Sequence, residues 1–160
     1  MTKIKYLIIF LFVVYNTNSQ TEQLISKDSL NVIYAQNYNL KKNTSPNEFS
    51  VTAHKFLKLL NSQRLIYKSL TKKNLLLNNK YDIDALDFFQ AKTYMDLMVY
   101  GNIKNNIDSI QLYKTKVSNI TSDSLLIGQS YGKSAYTYLK NNMFSKAIID
   151  YQIASTYFKN

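Results

Sequence analysis

The chain has 160 residues, twenty of them Lys or Arg against ten Asp or Glu, and no cysteine. The length allows one respectable hydrophobic core. The missing thiols exclude disulfide staples, thiol catalysis and cysteine-based zinc sites, so stability has to come from packing.

The net charge of +10 does not carry a nucleic-acid reading. Arg64 is the only arginine, the residue that best reads phosphate and guanine, and the lysines are scattered, with doublets only at Lys41-Lys42 and Lys72-Lys73. Neither nucleic acid nor a specific membrane lipid is an expected partner. At the N-terminus, Lys3 and Lys5 precede an uncharged apolar run from Tyr6 to Tyr15, followed by the polar NTNSQ. A basic start, a short apolar centre and a small residue near the end predict a cleavable secretory signal peptide over 1–19, cut near Ser19 and Gln20. The run is about half the ~20 residues that span a bilayer, and no cysteine follows it for lipid attachment. The expected location is the periplasm or the exterior, the alternative being an uncleaved helix that anchors the chain.

Residues 20–46 are expected to be a linker with room for one short helix, carrying Leu24, Ile25, Leu30, Ile33 and Tyr34 after an Asp28 or Ser29 cap. From there the helical period is continuous, and it divides into three hairpins over about 47–79, 82–118 and 123–160. In the first, Pro46 suits a first turn and Phe49, Ala53, Phe56, Leu57 and Leu60 share a face. Asn61-Ser62 is expected to break that helix before a second one bearing Leu65, Ile66, Leu70 and Leu75 to Leu77, which turns at Asn78-Asn79-Lys80. The second hairpin begins at an Asp82 or Asp84 cap, carries Leu86, Phe89, Thr93, Tyr94, Leu97 and Met98, turns at Gly101, and continues through Ile103, Ile107, Ile110 and Tyr113. The third begins at Asp123 or Ser122. Tyr131, Ala135 and Tyr138 stripe one helix, Asn142 tolerates the left-handed turn, and Phe144, Ala147, Ile148, Tyr151, Ala154 and Phe158 stripe the next. Two helices joined so briefly should be antiparallel, with Ala135 and Ala147 letting the backbones approach and Tyr131, Tyr138, Phe144 and Tyr151 filling the crossing.

This last stretch resembles a tetratricopeptide repeat, a helix–turn–helix unit of about 34 residues. Tyr131 and Tyr138 stand at its aromatic positions, Ser134-Ala135 at its Leu-Gly pair, Asn142 at its turn glycine and Phe144 at its turn aromatic. Ala147 and Tyr151 match its A-x-x-x-F, and Ala154 its last small residue. The departures are Ser134 for Leu, Asn142 for Gly, and Lys159 where a proline often stands. A diverged copy precedes it: Gly101 corresponds to Asn142, Ile103 to Phe144, Ile107 to Ile148 and Ile110 to Tyr151, with Asn106 replacing the small Ala147. The resemblance implies an all-α, tetratricopeptide-like solenoid of stacked antiparallel hairpins.

Residues for chemistry are scarce. His54 is the only histidine, and transition-metal sites lack ligands. Asp82, Asp84 and Asp87 hint at a calcium loop, but Ala85-Leu86 stands where such a loop needs an oxygen ligand and then glycine, so capping is the safer account. The three glycines are isolated and make no phosphate-cradling loop. No cofactor or metal is expected, and the chain is expected not to be an enzyme. By resemblance, the first helix of each repeat would line a concave face that binds a protein or peptide. Gln129, Tyr136 and Lys140 would line it here with Phe88, Met95 and Met98, unless those last three pack on the first hairpin. The face is expected to be apolar and aromatic, without carboxylate capture. Similar exported arrays often form the sensory front end of bacterial envelope signalling proteins, and the apolar Tyr157-Phe158 near Asn160 suggests either that role or self-association through an uncapped end.

Overall fold

The computed structural model describes residues 24–72, 80–100 and 108–158. Six helices and no strand are present among them: α1 (Lys27–Asn43), α2 (Pro46–Lys72), α3 (Lys80–Tyr100), α4 (Asp108–Ile120), α5 (Ser124–Lys140) and α6 (Phe144–Tyr157). The all-α expectation holds. The leader, the Leu75 to Leu77 cluster with its Asn78-Asn79 turn, and Gly101, Ile103 and Ile107 lie outside the described residues, as do Lys159 and Asn160.

Local chemistry starts and stops these helices. The Ser26 hydroxyl, rather than Asp28 or Ser29, caps α1 by accepting from the Ser29 N–H. Ser45 and Glu48 form a reciprocal capping box ahead of α2, with Ser45 N–H to the Glu48 carboxylate at 3.1 Å and Glu48 N–H to Ser45 Oγ at 3.3 Å. Pro46 then fills the first helical position, where no N–H is needed. Asp123 caps α5 by accepting from Leu125 and Leu126 at 2.8 and 3.1 Å. Asn142, at φ 59°, takes the left-handed conformation expected of it. Met143 N–H then reaches Tyr138 O at 2.9 Å and Asn142 N–H reaches Leu139 O at 3.1 Å, the two bonds of a Schellman turn.

The linker expected over 20–46 is mostly helix. α1 packs on α2 and α3, and Leu30 joins Phe56, Leu60, Ala85, Leu86 and Phe89 in one hydrophobic cluster. α2 runs unbroken through Asn61-Ser62, where one side chain is held by a neighbouring helix and the other bonds to the i−4 carbonyl within the helix. Asn61 Oδ1 accepts from Gln90 Nε2 at 2.9 Å, and the Ser62 hydroxyl bonds back to Lys58 O at 3.1 Å. Against that small propensity cost stand buried Phe49, Phe56, Leu57, Leu60 and Gln63. The helix that pairs with α2 at its N-terminal side is therefore α1, and the first hairpin is not folded within 47–79.

Cross-helix contacts set directions. Ile25 N–H to Gln63 Oε1 (2.7 Å) and the Tyr34–Phe56 ring contact run α1 antiparallel to α2. Phe49–Tyr100 and Gln90–Asn61 do the same for α2 and α3. α3 and α5 instead lie parallel, through Lys92 to Gln129 (3.4 Å) at one level and Thr137 Oγ1 to Met98 O (3.1 Å) at the other. α4 packs on α3 and α5, and Tyr94 stacks on Tyr113 at 5.6 Å. α6 packs on α5, antiparallel, as the Tyr131–Tyr157 stack at one end and Lys146 over Tyr138 at the other require. A second hydrophobic cluster joins α2 through α6, with Leu57, Tyr94, Met98, Ile110, Val117, Tyr138 and Ala147 among its members.

The expected α6 stripe is corrected. Ala147 and Ala154 are buried, but Phe144, Ile148 and Tyr151 are 57 %, 57 % and 44 % exposed, so they do not fill the crossing. The buried line is Ala147, Asp150 and Ala154, at i, i+3 and i+7.

The α5–α6 approach yields a paired test. A Cβ added at Gly128 would sit 2.9 Å from the Tyr157 Cβ and 3.0 Å from a Phe158 ring carbon, whereas one added at Gly132 meets nothing within 4 Å. In urea unfolding, Gly128→Ala is expected to destabilise by about 1–3 kcal/mol through overpacking. Gly132→Ala is expected to stabilise by about 0.5–1 kcal/mol through helix propensity. Effects of the same sign would mean that α6 does not pass α5 where described.

Candidate functional site

Of the six residues expected to line a binding face, four are not buried. Phe88 on α3 and Tyr136 on α5 are each 40 % exposed, Lys140 is exposed and Gln129 is half-buried. The parallel run of α3 beside α5 brings Phe88 near Gln129, because Lys92 bonds to Gln129 while its ammonium lies 5.8 Å from the centre of the Phe88 ring. Further along α5, the Lys140 ammonium lies 4.7 Å over the Tyr136 ring. Donation from the Lys140 ammonium to the Tyr136 oxygen, and then the electrostatic pull of that oxygen, raises the Lys140 pKa.

Met95 and Met98 are placed elsewhere. At 2 % and 0 % exposure they belong to the core with Phe49 and Leu57 of α2, which is the packing role weighed against the groove. The N-terminal half of α2, which carries Phe49, Ala53 and Leu57, covers them. What remains on the surface is aromatic and cationic rather than apolar.

Behind this face sits a polar centre that the sequence reasoning passed over. Lys114 on α4 and Asp150 on α6 have side chains only 8 % and 5 % exposed, and the ammonium contacts both carboxylate oxygens at 2.8 Å. The Ser134 hydroxyl on α5 donates to the same carboxylate. The Lys114 ammonium also lies 4.8 Å from the centre of the Tyr131 ring and 5.9 Å from that of Tyr138. Burial, and then neighbouring charges that include Asp150, raise the pKa values of both tyrosines, so they stay neutral beside the aspartate. One signal for this centre was available: Lys114 falls between Ile110 and Val117, and Asp150 between Ala147 and Ala154, each in the middle of an apolar stripe.

A second polar contact ties α1 to α3. The Tyr34 hydroxyl donates to Asp96 at 2.7 Å, and burial followed by that carboxylate's charge raises the tyrosine pKa. Arg64 reaches Asp87 and, at 2.8 Å, Gln90, which in turn holds Asn61. Of the aspartates weighed as calcium ligands, Asp84 is exposed and Asp87 faces Arg64. Among the described residues no group of three acids or histidines is placed to hold a metal ion, and no helix is long and apolar enough to cross a membrane.

No protein-family model, no curated protein and no solved structure matches this chain.

The polar centre makes a direct expectation. Lys114→Ala leaves the Asp150 carboxylate buried without its cation and is expected to cost about 3–5 kcal/mol in urea unfolding. The double variant Lys114→Met with Asp150→Leu is expected to recover most of that loss, since two apolar groups of similar volume need no compensation. A single variant as stable as the wild type would show that the pair is solvated.

Proposed function

We propose that this chain is an exported, non-catalytic, tetratricopeptide-like scaffold that binds a protein or peptide along the face shared by α3 and α5. The observation that carries this reading is the parallel stacking of those two helices. It gathers Phe88, Lys92, Gln129, Tyr136 and Lys140 onto one surface from two successive helix pairs. Export rests on the basic and apolar leader at 1–19. A sensory role at the front of a bacterial envelope signalling protein is the specific form that leader and repeat together suggest. With Met95 and Met98 in the core, the face suits segments that present aromatic and acidic side chains.

Peptides selected by display against the chain lacking its leader provide the test. Selected peptides are expected to bind Tyr136→Ala about tenfold more weakly, as truncation of a central aromatic anchor does, and to bind Tyr151→Ala as they bind wild type. Equal binding by all three proteins would remove this face as the site.

A second reading has its own observation. The outer side of α6 exposes Phe144, Ile148, Ile149 and Tyr151, with Lys146 the one charged residue among its exposed positions, and such a face suits self-association of a structural protein. Sedimentation at rising concentration is expected to show dimers that Ile148→Lys dissociates; a strict monomer at high concentration removes this reading.

A further inference from the structure

Two helices lie over the pair that precedes them: α3 packs on α1 and α2, and α5 packs on α3 and α4. The offset of 41 residues that relates Gly101 to Asn142 carries the α3–α4 pair onto the α5–α6 pair. Thr93, Tyr94 and Leu97 of α3 are buried, and so are their counterparts Ser134, Ala135 and Tyr138 of α5. A second set of positions differs. Met98, Ile110 and Val117 are fully buried, while their counterparts Leu139, Tyr151 and Phe158 are 43 %, 44 % and 53 % exposed. Ala91 is buried as well, and at its counterpart Gly132 an added Cβ would meet nothing within 4 Å.

In the inner pair α5 helps to close this second set. The Thr137 hydroxyl donates to Met98 O at 3.1 Å, and Leu126 shares one cluster with Ala91, Met98, Ile110 and Val117. Among the described residues no helix lies over α5 and α6 in the same way. The groove left at that end of the stack has Gly132 and Leu139 on the α5 side and Phe144, Ile148 and Tyr151 on the α6 side. Phe158, just past α6, reaches across toward Gly128. By comparison with the inner pair, the groove is the seat of one helix with an apolar stripe.

A second copy of this chain supplies such a helix. Phe144, Ile148, Tyr151 and Phe158 fall at i, i+4, i+7 and i+14, so α6 carries the stripe that the seat requires. The other end of the stack does not: Val32 of α1 is followed along its stripe by Gln36, Asn39 and Asn43. Charge gives a foreign helix no advantage. Asp150 is the only acid within α5 and α6, and it is buried against Lys114. Lys140 and Lys146 lie over Tyr136 and Tyr138, and Lys133 corresponds to Lys92 on the α3–α5 face. The groove thus has no charge to steer a partner of opposite sign and none to repel its own copy. Five side chains, each half-exposed and offering about 100 Å², give about 1,000 Å² across two copies, enough for a specific but weak interface.

We propose that this chain forms an isologous dimer in which α6 of each copy lies in the α5–α6 groove of the other, filling the place that α5 takes over α3 and α4. This dimer rests on the self-association reading above and narrows it: the α5 side of the groove takes part, and Ile149, off the stripe, does not.

Sedimentation velocity of the mature chain, 20–160, is expected to show monomer passing into dimer between about 5 and about 500 μM, and nothing larger, because a two-fold contact closes on itself. Gly132→Lys puts a charge into the groove where the monomer has open space, so its melting temperature should match wild type. It is expected to weaken the dimer at least about tenfold, as is Ile148→Lys, because each buries a charge without a partner. Ile149→Lys is expected to dimerise as wild type does. A strict monomer at the highest concentration overturns this dimer and the self-association reading together, and leaves the groove to a helix from another protein. A dimer that Ile148→Lys dissociates and Gly132→Lys does not keeps that reading and overturns the groove. Growth beyond the dimer likewise overturns the two-fold arrangement while keeping self-association.

Discussion

An ammonium and a carboxylate almost shut off from water hold the C-terminal half of this molecule together. Lys114 comes from α4, Asp150 from α6, and the Ser134 hydroxyl that completes the carboxylate's bonding comes from α5. Taking each charge out of water costs on the order of several kcal/mol, and the attraction between them repays this only when geometry is good and the remaining lone pairs are satisfied. Both conditions are met here: the ammonium contacts both oxygens, and two tyrosine rings face it. Such a pair adds little net stability over a well-packed apolar pair, but it penalises any arrangement that separates its members. Its contribution is to orientation.

That constraint decides what α6 shows to the outside. Apolar residues are spread around much of this helix, so burial alone would accept several rotations about its axis. Turning Asp150 inward selects the one with Ala147 and Ala154 against α5 and leaves Phe144, Ile148 and Tyr151 on the far side. Small residues at 128, 134, 135, 147 and 154 then allow the close approach, and a Schellman turn at Asn142 returns the chain at the angle required. Because α5 is held from one side by α6 and α4 and from the other by α3, its outer residues Gln129, Tyr136 and Lys140 are presented on a rigid support.

Much of this was legible in the residues. Apolar spacing located α3 and α5 and named their buried sides, Asp123 marked a helix start, and Asn142 marked the turn. Three features were not. Asn61-Ser62 reads locally as a break, yet Gln90 of α3 holds Asn61 and the Ser62 hydroxyl bonds to Lys58 O without interrupting the helix, so α2 runs on to Lys72. α1 looked like linker because its polar residues dominate; its docking depends on a few side chains, Leu30 and Tyr34 foremost, whose partners lie far along the chain. The rotation of α6 could not follow from hydrophobicity, since the residue that sets it is an aspartate. A charged residue in the middle of an apolar stripe is the mark that points to such a centre, and Lys114 carries the same mark.

Because the chain has no cysteine, the orientation of α6 is open to a direct chemical measurement. Single variants Ile148→Cys and Ala154→Cys place a unique thiol on opposite sides of the helix, one outside and one against α5. With a water-soluble thiol reagent under native conditions, the first should react at close to the rate of an unfolded peptide. The second should react at least about a hundredfold more slowly, limited by opening of the structure. Equal rates, or faster labelling at 154, would contradict the inward placement of Asp150 and with it the account of how the last three helices are held.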